Sequence, residues 1–124
     1  MAAPDVAHIR PDGGTTQVVL HVGDGVIADW TVKVRRGDAV VAQDHGLTSA
    51  GDPPPLTVPA PAIGCAVEWL VVLFGAGEAR DYSVRLQVEQ GGRGTVQPPV
   101  VRLGRVEARD TATETGQVRL RREP

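Results

Sequence analysis

Along most of this chain apolar and polar residues alternate with a period of two, the mark of strands with one face in a core and the other in water. From Thr16 to Val22 the apolar face is Val18, Leu20 and Val22. Ile27 to Arg35 sets Ala28, Trp30, Val32 and Val34 inward against Asp29, Thr31, Lys33 and Arg35. Asp81 to Glu89 repeats the pattern with Tyr82, Val84, Leu86 and Val88 inward. Glycine-rich breaks separate these runs, and the turn Arg36-Gly37-Asp38 makes residues 27–43 read as a β-hairpin. The pattern stops over 44–63, where Gly46, Gly51 and five prolines disfavour a regular central strand. Within that loop, Leu56-Thr57-Val58 suits a short edge strand. Two tail segments, Val100 to Ala108 and Gln117 to Arg122, flank a polar turn at Asp110 to Gly116 and are suited to pair as a hairpin.

One segment breaks the alternation. Between Cys65 and Phe74 both faces are apolar: Cys65, Val67, Trp69, Val71 and Leu73 on one side, Ala66, Leu70, Val72 and Phe74 on the other, with Glu68 the lone charge. An antiparallel sheet normally wets one side, so this strand predicts cover on both. Two sources of cover for Leu70, Val72 and Phe74 stay open at this point. The chain's own tail or Leu56 to Val58 can fold over them, or a second copy or another protein can. Leaving three large side chains in water forgoes about 1.5–3 kcal/mol each.

At 124 residues the chain is long enough for one domain that buries roughly two thirds of its unfolded surface. Twenty valines and the lack of helical periodicity favour strands. The reading is a flexible segment at 1–14, a β-sandwich at 15–108 with its Pro-rich loop at 44–63, and a loosely ordered or edge-pairing tail at 109–124. Cys65 has no second cysteine to pair with, and its place in the apolar strand marks it as a small buried hydrophobe. The amino end has no basic region followed by an apolar core, and the longest apolar run is half a membrane helix, which predicts a cytoplasmic protein and no membrane partner. Twelve of the thirteen cationic residues are Arg, a bias that fits a GC-rich, bacterial genome. The net charge is −2, with a mildly basic tail of six arginines and four acids over 100–124. A nucleic-acid binder shows a basic face with stacking aromatics, whereas Trp30, Trp69, Phe74 and Tyr82 all fall on expected strands.

Short strands with turns every 8–12 residues predict an all-β, antiparallel sandwich of about seven to nine strands. The spacing resembles an immunoglobulin-like domain over roughly residues 15–95. Gln17 to Val22 takes the place of the B strand, Trp30 that of the C-strand tryptophan and Tyr82 that of the tyrosine corner. Val18 or Leu20 and Val84 then stand where paired cysteines would be. The resemblance implies the fold and carries no function with it.

Candidate chemistry is sparse. Arg36-Gly37-Asp38 spells an adhesion tripeptide but suits a turn that uses glycine's backbone freedom. Gly75-Ala76-Gly77 begins like a dinucleotide fingerprint, yet the third glycine is missing and a strand follows where a helix is needed. His8, His21 and His45 have no zinc-ligand spacing. Ser49, His45 and Asp52 form a trio without a scaffold to orient it. The chain therefore reads as no enzyme, with no catalytic, cofactor or metal residues. The expected function is a non-catalytic interaction or assembly module with a protein partner, foremost itself, and with Leu70, Val72 and Phe74 as interface anchors. The alternative is a carbohydrate- or calcium-binding sandwich that uses loops 23–29, 44–63 and 75–81, where Asp24, Asp29, Asp44, Asp52, Glu78 and Asp81 could converge.

Overall fold

A computed structural model describes residues 5–11, 13–23, 25–91, 93, 94 and 100–123. Among them are ten strands: β1 (Asp5–Ile9), β2 (Thr16–Gly23), β3 (Ile27–Arg36), β4 (Ala39–Leu47), β5 (Leu56–Val58), β6 (Ala66–Phe74), β7 (Arg80–Gln90), β8 (Arg93–Gly94), β9 (Val100–Val106) and β10 (Thr111–Arg122). A 3₁₀ turn at Thr48–Ala50 is the one helical element among the described residues. The protein is all-β, and its strands form two sheets. Sheet A runs β1-β10-β6-β3-β4, while sheet B runs β5-β2-β7-β8 with β9 also on β7. All neighbours are antiparallel except β1 and β10, which run parallel.

The inward residues read from the alternation are buried as a set. Val18 and Leu20 on β2, Val32 and Val34 on β3, and Val84, Leu86 and Val88 on β7 all lie in one core cluster between the sheets. Val67, Trp69, Val71 and Leu73 complete it from β6. The hairpin β3–β4 forms around Gly37, whose positive φ of 62° suits glycine, and Leu56 to Val58 is an edge strand on β2.

Among the described residues both terminal segments contribute strands. The segment expected to be flexible at 1–14 supplies β1, and its Ala7 and Ile9 are fully buried. The tail expected to be loosely ordered or to pair at an edge supplies β10, which lies inside sheet A between β1 and β6. The predicted polar turn at 110–116 is mostly strand, and the chain reverses instead around Glu107 to Asp110. Because β9 joins sheet B and β10 sheet A, the two do not form a hairpin.

The two-sheet sandwich is compatible with an immunoglobulin-like fold, and Trp30 is buried on β3 in the sheet opposite β2, but the cross-core pair and the tyrosine corner are not realised. The strands expected to face each other across the core, β2 and β7, are neighbours in one sheet, with Val22 paired to Val84 and Leu20 to Leu86. Tyr82 donates its hydroxyl hydrogen bond to the Glu114 carboxylate. A tyrosine corner would reach backbone instead.

Each of the three buried aromatics is paired across strands with a glycine: Trp30 with Gly46, Trp69 with Gly116 and Tyr82 with Gly104. A Cβ on Gly116 would come within 2.7 Å of Trp69 Nε1, and one on Gly104 within 2.4 Å of the Tyr82 hydroxyl. The missing side chain leaves the space that the ring fills, which turns a strand glycine from a weak point into part of the packing.

Candidate interaction face

Strand β6 is the middle of sheet A, hydrogen-bonded to β10 on one side and β3 on the other. Its period of two therefore sends Trp69, Val71 and Leu73 into the core and Leu70, Val72 and Phe74 to the outer face of the sheet. The expected cover is present on one side only. Leu73 and Val71 are fully buried, whereas Leu70 is 42% and Phe74 39% exposed and Val72 is half-buried. Neither internal cover operates, because the tail inserts beside β6 in the plane of the sheet and Leu56 to Val58 joins the other sheet.

The strand register brings further apolar groups to these three. Ile27 on β3 is the direct partner of Phe74, and Leu47 on β4 is the partner of Asp29, which itself faces Val72. Ile27 and Leu47 are each 47% exposed. Leu70 is flanked by Thr31 and Thr115, and the Thr115 hydroxyl donates to the Trp69 carbonyl at 2.9 Å. The apolar residues crowd the end of the sheet near the β2–β3 and β6–β7 connections. The other end is charged: Lys33 and Glu68 are partners, and Arg35 forms an ion pair with Glu68. Ile27 and Leu47 were not singled out from the sequence, since each sits at a strand terminus where alternation alone gives no cross-strand neighbour.

The β4 and β5 edges are less suited to pairing than this face. On β4, a register shift opposite Val34 and Arg35 bends the edge, and Asp44, opposite buried Val32, is turned toward the inner side. Bulges and inward charges are devices that blunt an edge. The β5 edge is three residues long and is followed by Pro59.

The remaining candidate groups do not converge. Arg36 turns back to donate to the carbonyls of Pro59 and Pro61 at 2.9 and 3.0 Å, so the Arg36-Gly37-Asp38 turn does not present its arginine freely. Gly75 packs against the β9–β10 turn, where a Cβ would stand 1.9 Å from the Glu107 carbonyl oxygen. His8, His21 and His45 lie on three different strands, and among the described residues no group of three His, Cys, Asp or Glu could hold a metal ion. Ser49 and Asp52 are exposed beyond β4, with no hydrogen bond joining them to His45 among the described residues. The loop at 44–63 crosses the molecule: its start lies beside the 23–29 and 75–81 loops, while Pro59 to Ile63 lines a groove of about 580 Å³ at the opposite end with Ile9 and Thr16. Asp24 lies outside the described residues. Cys65 is buried as expected, its thiol 3.6 Å from the Pro61 carbonyl.

A second polar cluster bridges the sheets. Arg102 on β9 is placed over the Trp69 ring at 5.6 Å from its centroid and 3.9 Å from Asp5, beside the Tyr82–Glu114 hydrogen bond. That bond, together with burial and the charge of Glu114, pushes the Tyr82 hydroxyl up to about 12, so it stays protonated as a donor. The cluster ties β7 and β9 to β10 and β6. Among the described residues no helix is long and apolar enough to cross a membrane. No protein-family model, curated protein or solved structure matches the chain, so the functional reading rests on its own residues.

Proposed function

We propose that the protein is a non-catalytic association module whose contact surface is the outer face of sheet A, anchored by Leu70, Val72 and Phe74. The observation that carries the reading is the row of apolar side chains in register on that face, over which no element of the described chain lies. Covering what remains exposed of each side chain adds a fraction of the ~1.5–3 kcal/mol available for its full burial. Several such contacts, rimmed by Lys33, Arg35 and Glu68, give both affinity and register.

A protein partner fits better than nucleic acid or a membrane. Trp30, Trp69 and Tyr82 are committed to the core, which leaves Phe74 as the one partly exposed aromatic. Stacking on bases or anchoring in a lipid interface calls for more aromatic surface than that. A cytoplasmic setting belongs to the same reading and accords with the unpaired, buried Cys65.

Light scattering over a hundredfold dilution tests the self-associating form of the module. The wild type is expected to show a mass that falls toward monomer on dilution, and Val72→Glu a monomeric mass throughout. Leu103→Glu, on the outer face of sheet B at a side chain already 76% exposed, should match the wild type. A wild-type mass that stays monomeric at every concentration would exclude self-association.

A further inference from the structure

We infer that the outer face of sheet A takes a second copy of the chain turned end for end, about a two-fold axis that crosses the strands over Leu70. The inference rests on the association reading above and adds the partner and its orientation.

The charges on this face are lopsided. Lys33, Arg35, Arg119 and Arg121 occupy the end near the β3–β4 hairpin, with Glu68 the one acid among them, whereas the apolar end carries Asp29 and no cation. An axis along the strands would keep like ends together and set Arg35 over Arg119 and Glu68 over Glu68, like charge on like. An axis across the strands lays β3 over β3, β6 over β6 and β10 over β10 with their directions reversed. The cationic end of each copy then lies over the end of the other that holds Asp29 and the apolar groups.

One row satisfies both sign and shape. Asp29 and Lys33 each stand two residues from Thr31, the partner of Leu70, so an axis over that row sets Asp29 of each copy on Lys33 of the other. Phe74 and Ala66 each stand four residues from Leu70, so the same axis sets Phe74, 39% exposed, on Ala66. Ala66 is a methyl group between Arg35 and Arg119, its partners on β3 and β10, and the long side chains on either side leave a notch suited to a ring. Ile27 then lies on the Arg35 stem, Thr111 on Arg119 and Leu70 on Leu70. Thr31, Thr115 and His45, in the row of Leu70, also meet their own copies. Val72 covers Glu68, whose carboxylate is already paired with Arg35, so a neutralised pair enters the contact in place of a bare charge. Within β3, β6 and β10 no cation meets a cation and no acid an acid. Moving the axis toward the hairpin carries Phe74 beyond Ala66, the first residue of β6, and moving it the other way sets Phe74 on Glu68 and Asp29 on Thr31.

A short bis-maleimide tests the orientation. Leu70→Cys is expected to couple to its own copy, and Phe74→Cys mixed with Ala66→Cys to couple as a pair, on a denaturing gel. Phe74→Cys alone should stay uncoupled, since the two Phe74 positions stand ~26 Å apart along the strands. Wild-type Cys65, 1% exposed, should stay uncoupled as well. Light scattering on charge variants gives a second readout without new thiols. Asp29→Lys and Lys33→Asp should each weaken the dimer roughly tenfold, and an equal mixture of the two should restore it, because each chain supplies the sign the other lacks. In a dimeric wild type, self-coupling of Phe74→Cys, or charge variants that fail to restore one another, would overturn the orientation and leave the association reading standing. A wild type that stays monomeric would overturn the second copy itself.

Discussion

The two faces of β6 belong to one strand and share one backbone, yet they have different fates. On the inner side Val67, Val71 and Leu73 are fully buried and Trp69 is nearly so; on the outer side Leu70 and Phe74 keep about two fifths of their surface in water. Hydrophobicity is similar on both sides, so it does not separate them. What separates them is the second layer: sheet B covers the inner face, and nothing in the described chain covers the outer one. A residue's burial is therefore a property of the fold's layers as much as of its own character.

The contrast can be broken most severely from inside. Leu73→Ala empties fully buried space and is expected to cost about 2–5 kcal/mol by denaturant titration, whereas Leu70→Ala on the outer face should cost well under half as much at concentrations where the protein is monomeric. Equal costs would mean that the two faces are packed alike. Next in size is the glycine that accommodates the inner face. Gly116→Ala drives a Cβ into the buried Trp69 ring and should destabilise by about 1–3 kcal/mol, while Gly77→Ala, with nothing within 4 Å, serves as the neutral comparison. If both substitutions prove equally mild, the ring is not held against Gly116 as described.

A smaller effect comes from the Tyr82 hydroxyl that closes the inner side. Its pKa is about 12 in the folded protein, above its unfolded value, so the stability it contributes is fully present below pH 10. That contribution should fade as pH climbs from 10 through about 12. Tyr82→Phe should remove this alkaline dependence from the melting curve, and an unchanged slope would mean that the Glu114 contact does not act on stability. Smallest for the isolated fold is Val72→Glu on the half-buried outer face, which should leave the monomer's unfolding free energy within about 1 kcal/mol of the wild type while abolishing association.

Much of this was legible before any fold was known. Alternation identified β2, β3 and β7 and the inner face of β6, because a period of two maps directly onto the two sides of a pleated sheet. Three features were hidden for physical reasons. Gly46 and Gly116 read as breaks, since a glycine in a strand is ordinarily costly, and only the cross-strand pairing with Trp30 and Trp69 gives each a purpose. The first half of β10 read as a turn because its inward positions are Ala112 and Glu114, small or polar residues that suit the Tyr82 cluster and give no apolar stripe. The parallel docking of β1 against β10 joins residues more than a hundred positions apart, a pairing that local pattern cannot express. The outer anchors Leu70, Val72 and Phe74 were visible as apolar positions, but their neighbours Ile27 and Leu47 emerged only with the register.

Amide chemical shifts followed as the protein is concentrated test the central claim most directly, because they report where molecules touch as well as whether they do. The account predicts progressive shifts confined to outer-face positions of β3, β6 and β10, with Leu70, Val72 and Phe74 among the most affected. Spectra that do not change with concentration, or changes centred on β2, β7 and β9, would contradict it.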